Sequence, residues 1–159
     1  MTQYQNPIQY DGPPCRLVKL SAKDSQTWQA GHPLRTTDSG VVKCKTQASS
    51  ISGFAAQTQG TATSSSAVWV NMIPSSAARF IIGVTAGSTD TKAGLTLIGK
   101  SLGMSINSCV ATLNTSNDSD EIMKVHDVMG RVDPKGNDTS DVPGYAVVSF
   151  YQSALDADA

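Results

Sequence analysis

Residues 94–101 read G-L-T-L-I-G-K-S, matching the phosphate-loop pattern G-x-x-x-x-G-K-[ST] at every fixed position. That chemistry needs a flexible loop whose backbone N–H groups wrap a phosphate, entered from a buried strand and opening a helix. Here the variable positions Leu95, Thr96, Leu97 and Ile98 favour strand, and Gly103 and Ile106 fall where the helix would run. The segment is therefore expected to be a hairpin of residues 95–98 and 102–106 turning through Gly99, Lys100 and Ser101, with no cofactor bound.

The other reactive residue types are scattered. His32 and His126 stand far from each other and from Cys15, Cys44 and Cys109, so structural histidines are expected rather than a metal centre. His126 and Asp127 supply half of a catalytic triad, but no G-x-S-x-G elbow frames any of the many serines. Asn117, Asp118, Ser119, Asp120 and Glu121 gather three carboxylates in a turn that lacks the spacing and glycine of an EF-hand, which points to a solvated acidic turn rather than a Ca²⁺ loop. Three cysteines cannot pair completely within one chain, and buried reduced thiols are the expectation. These residues call for no catalytic, cofactor or metal site.

The elements that would carry them are short strands. Residues 31–56 organise the chain: an extended stretch after Gly31 and Pro33, a turn at Thr37, Asp38, Ser39 and Gly40, and a strand running to Thr46. A buried strand follows through Ile51, Phe54, Ala55 and Ala56, whose Gly53 signals a bulge or a close backbone approach. Further strands are expected at residues 16–20, 67–73, 79–84, 109–113, 122–128 and 145–151, with polar loops at 57–66, 114–120 and 130–142. Trp28 is expected to be buried with its indole N–H satisfied. Short strands separated by turn residues every 8 to 12 positions or so mean an all-β antiparallel barrel or sandwich. Residues 15–153 form that single β domain, and residues 154–159 a flexible acidic tail.

Residues 1–14 read as an extended arm. Tyr4 and Tyr10 flank Asn6, Pro7 and Ile8, and Gly12, Pro13 and Pro14 close the segment. Such composition favours extended or polyproline conformation and gains order by lying on another surface, where tyrosines make apt anchors. Charged residues are only 16% of the chain and the net charge is −1, so Ser, Thr, Asn and Gln carry the polar surface. That balance suits large, salt-insensitive contacts and argues against nucleic acid, which demands clustered Lys and Arg. No run approaches the roughly 20 apolar residues of a membrane span, and the first residues lack the basic-then-apolar order of a secretory signal. Synthesis in a cytoplasm is the expectation.

One ordering of motifs resembles a known family. A-G-H-P-L at 30–34, S-G-V-V-K-C-K at 39–45, I-S-G-F-A-A at 51–56, a Ser/Thr loop, V-W-V-N-M-I-P at 68–74, F-I-I-G at 80–83 and T-K-A-G-L at 91–95 follow one another as in the capsid decoration (cement) proteins of tailed bacteriophages. The resemblance spans about residues 30–150. It implies a small β-barrel or β-tulip-like fold, binding to the major capsid protein on the outer surface of the virion, and no catalysis. Lattice symmetry favours dimers or trimers at symmetry axes, and repetition makes modest contacts sufficient. On this reading Tyr4, Asn6, Pro7, Ile8, Tyr10, Pro13 and Pro14 contact the capsid or a neighbouring copy. The rival class is a receptor- or carbohydrate-binding module of a tail or fibre, using Trp28, Trp69 or the acidic turn.

Overall fold

The computed structural model describes residues 6–62, 66–87, 89–91, 93–107, 109–129 and 144–156. Tyr4 and the whole excursion at 130–142 lie outside the described residues. The fold is all-β in two sheets. The first contains β1 (Ile8–Asp11), β7 (Arg79–Ala86), β8 (Thr89–Asp90), β9 (Ser101–Asn107), β10 (Val110–Asn114), β11 (Met123–Met129) and β12 (Tyr145–Phe150). Its order β7-β10-β9-β11-β12 closes on itself because β12 pairs again with β7. β7 and β10 run parallel, and the other ring pairs are antiparallel.

Alternation explains the ring. Phe80, Ile82 and Val84 of β7 point inward, as do Leu102 and Met104 of β9, Leu113 of β10, Val125 of β11 and Phe150 of β12, all buried. Each ring strand is thus paired on both sides, although β9 and β11 meet over only two residue pairs, Leu102 with Met123 and Ser101 with Lys124. The second sheet has the order β2-β6-β5-β3-β4, from β2 (Arg16–Ser21), β3 (Pro33–Thr37), β4 (Gly40–Lys43), β5 (Gly53–Ala55) and β6 (Ala67–Met72). Its two ends are drawn together by a bridge between Ala22 and Val41 and by the Lys23 N–H donating to the Val41 carbonyl at 3.0 Å.

Each sheet has its own apolar interior, and the three phenylalanines of the chain join them. Phe54 of β5 lies 5.7 Å from Phe80 and 6.3 Å from Phe150, and Phe80 meets Phe150 nearly edge-on at 5.6 Å. Helix α1 (Gln152–Asp156) follows β12, and its Ala154 carbonyl accepts from the Ile51 N–H at 3.1 Å. Residues 154–156, expected to begin a flexible tail, are thus helical, with Ala154 buried.

Gly53 is the close approach its position in a strand suggests. A Cβ there would lie 2.2 Å from the Asn71 carbonyl oxygen of the paired strand β6. Backbone cannot retreat from backbone without parting the strands. Gly53→Ala is expected to destabilise the chain by about 1–3 kcal/mol, read as a lower urea midpoint; an unchanged midpoint would show that β5 and β6 separate at no cost.

Two expectations are corrected. Residues 95–98 are not half of a hairpin: Leu95–Leu97 form a 3₁₀ turn, and the following strand β9 pairs with β10 and β11. β10 takes one edge of β9 along Gly103–Asn107, while β11 at Ser101 and Leu102 and the Gln47 N–H at the Met104 carbonyl occupy the other where residues 95–98 would pair, and Leu97 is buried instead. Trp28 is buried as expected, but its Nε1–H has no hydrogen-bond partner among the described residues. Burying about 150–250 Å² of indole at roughly 25 cal/mol/Å² gains about 4–6 kcal/mol, against about 1–3 kcal/mol for one orphaned donor. Packing wins.

Candidate interaction surface

Within the arm, Ile8–Asp11 lie on β7. β1 pairs antiparallel with it, Ile8 opposite Ile81, Gln9 opposite Phe80 and Asp11 opposite Arg79, with an irregularity between Gln9 and Asp11. Pro7 precedes the strand and Pro13 and Pro14 follow it, which limits its length because proline cannot donate to a ladder. Inside the turn the Gln9 side chain acts as a clamp. Its Oε1 accepts from the Cys15 N–H at 2.9 Å and its Nε2 donates to the Pro13 carbonyl. Gly12, at φ +86°, lies where a Cβ would meet the Ala77 carbonyl oxygen at 2.3 Å. Upstream, Asn6 Nδ2 donates to the Ala30 carbonyl at 3.3 Å.

Gln9 is turned toward the protein, and its neighbours face solvent. Ile8 is 55% exposed and Tyr10 58%. Large apolar side chains at that exposure on one four-residue edge strand form a contact surface in want of a partner. Beneath them a cavity of about 290 Å³ opens between the sheets, with Phe54 and Phe80 as its floor and Asn6, Gln9, Cys15 and Asn71 around it. Asn71 sits opposite Leu17, itself exposed, across the β2–β6 pair. Trp69 projects from the same face of β6, partly exposed, with Lys19 Nζ 5.8 Å from its ring. The tyrosines and prolines of the arm were legible in sequence; the Gln9 clamp and the amide-rimmed cavity were not, because they arise only when β1 lies on β7.

The reactive residue types do not assemble into a metal centre: among the described residues no three His, Cys, Asp or Glu side chains could share an ion. In the acidic turn, Asn117 is buried and its Oδ1 accepts from the Ser119 and Asp120 N–H groups, so this amide organises the turn. All three cysteines are free, but only Cys44 is fully buried, with its thiol pushed up to about 12 by desolvation; Cys15 and Cys109 are half-buried, contrary to expectation. Trp28 is too deep to present a binding face. His126 does meet a serine, its Nε2 lying 2.7 Å from Ser149 Oγ.

Both histidines are held below the ordinary histidine range. For His32 burial is the main cause and the nearby Lys43 charge adds to it, while the Cys44 carbonyl, which accepts from Nε2, opposes the shift. For His126 burial is followed by the charges of Arg79 and Lys124. Above the ordinary histidine pKa of about 6.5 neither group is protonated in the folded or unfolded chain, and neither alters stability. Below it the unfolded chain takes up protons first, so stability falls with pH until the folded pKa is reached. The urea midpoint is expected to drop between pH 6.5 and 5, and His32→Gln to shallow that limb; an identical slope in the variant would exclude His32 as a source.

Compared with known protein families, curated proteins and solved structures, the sequence and fold match none of them.

Proposed function

We propose that this chain is a non-catalytic structural protein that binds the outer surface of a tailed-phage capsid and stabilises the shell by bridging capsid subunits. The observation that carries the reading is β1, a proline-bounded edge strand seated on the sheet with Ile8 and Tyr10 turned to solvent. Such a strand can offer backbone hydrogen bonds and two apolar anchors to the major capsid protein without a preformed pocket. Low charge and a ring of strands with its core sealed suit a protein that makes permanent contacts. Many copies at lattice symmetry axes, as dimers or trimers, would turn modest contacts into tight retention.

Mixing the purified chain with bare capsids of its phage and sedimenting them tests this directly. Saturable co-sedimentation that raises the temperature of capsid rupture is expected; protein left wholly in the supernatant removes the reading. A receptor- or carbohydrate-binding module of a phage tail or fibre is favoured by a different observation, the exposed Trp69 beside Asn71 and the amide-rimmed cavity. A glycan array separates the two, since a capsid cement should bind no glycan.

A further inference from the structure

A second cluster stands on the outer face of the ring, built by a β-bulge. Between β11 and β12, Val125 faces Val148 and Asp127 faces Val147, which leaves His126 as the extra residue. Bulges re-aim the side chains they carry, and this one places the His126 imidazole against the Ser149 hydroxyl. Ser149 in turn sits opposite Arg79 on one side and Lys124 on the other, so three cationic or protonatable groups surround one hydroxyl. Two carboxylates lie nearby. Asp127 Oδ1 accepts from the Val128 N–H at 2.8 Å, and Asp11 on β1 is the cross-strand neighbour of Arg79, on the side away from Ser149. In a chain of net charge −1, this face concentrates positive charge.

We propose that Arg79, Lys124, His126 and Ser149 form a binding site for a tetrahedral dianion, sulfate or phosphate, free or carried as an ester on a larger molecule. Arg79 supplies a planar fork of N–H donors, Lys124 a point charge and Ser149 an O–H donor. Burial and then the Arg79 and Lys124 charges disfavour the imidazolium; a bound anion offsets those two charges, and His126 takes up a proton from solvent to become a further donor. Binding is therefore coupled to protonation, and affinity rises as pH falls. The charged groups around the imidazole that set this coupling are Arg79 on β7, Lys124 and Asp127 on β11, and Asp11 on β1; β12 contributes Ser149.

The site is independent of the capsid reading and is tested on the whole chain. Sulfate, whose charge is constant from pH 5.5 to 7.5, is titrated at fixed ionic strength while the His126 ring resonances are followed by NMR. A saturable shift that tightens with falling pH is expected. Arg79→Gln and Lys124→Gln should each weaken binding roughly tenfold, the scale of a charge-assisted hydrogen bond. Both positions are exposed, so unchanged thermal unfolding will show that the fold is kept. His126→Gln should bind with the pH dependence gone. A linear, unsaturated shift, an equal response to chloride, or wild-type affinity in the Arg79→Gln/Lys124→Gln double variant would overturn the site. Comparing phosphate with a phosphoserine peptide identifies the source: tighter binding of the peptide marks a macromolecular carrier, and equal binding marks the free ion.

Discussion

Phe80→Ala is expected to cost about 3 to 5 kcal/mol of stability, the range for truncating a fully buried aromatic. Phe80 is 2% exposed and touches both other phenylalanines, one from each sheet. Its loss removes apolar burial, two aromatic pairings and the contact that keys the ring onto β5. It also takes away part of the floor of the cavity beneath β1. For a chain of 159 residues this should lower Tm by roughly 6 to 20 °C. Calorimetry adds a second reading, because Phe54 belongs to one sheet and Phe80 and Phe150 to the other. If the three-ring contact couples the sheets, the variant should unfold over a broader or split transition where the parent shows one. A loss below about 1 kcal/mol would mean that neighbouring side chains refill the space, and the joint would then be unimportant.

Replacing Ile8 and Tyr10 together by Ser should abolish capsid co-sedimentation while leaving the fold intact. Both side chains are more than half exposed, so little stability depends on them. At an interface, a tyrosine anchor typically contributes about 2 kcal/mol or more, roughly thirtyfold in affinity. Losing two anchors in every copy compounds through repeated engagement on the lattice. Removing residues 1–14 is the blunter experiment, because it strips β1 from β7 and uncovers the Phe80 region. The substitutions separate contact from folding where truncation confuses them. Leu95→Ser with Ile98→Ser, each 44% exposed, in and just after the 3₁₀ turn, is the matched control and should bind normally. Wild-type sedimentation of the Ile8/Tyr10 variant would remove β1 from the proposed interface.

Local chemistry made much of this architecture readable. Alternation in residues 67–73 and 79–84 marked β6 and β7 within two residues of their ends, and proline and glycine placed most of the turns. The 95–98 hairpin went astray because strand propensity describes a segment, whereas pairing needs an available edge, and β10 and β11 already pair with β9 on its two sides. The bulge had left a trace that alternation alone could have found: apolar Met123 and Val125 are followed by two polar residues before Val128, one position out of phase.

The amino-acid order by itself determined that the chain is all-β, weakly charged and fronted by a proline-bounded tyrosine segment, because period-two patterning, composition and proline stereochemistry are properties of neighbours along the chain. Only the tertiary structure decided that β12 returns to β7 to close a ring, that Phe54, Phe80 and Phe150 meet, and that Arg79, Lys124 and His126 share Ser149. Those contacts join residues as much as 96 positions apart, Phe54 and Phe150. Their choice depends on which faces and edges remain free once the strands have formed, and no local pattern encodes that.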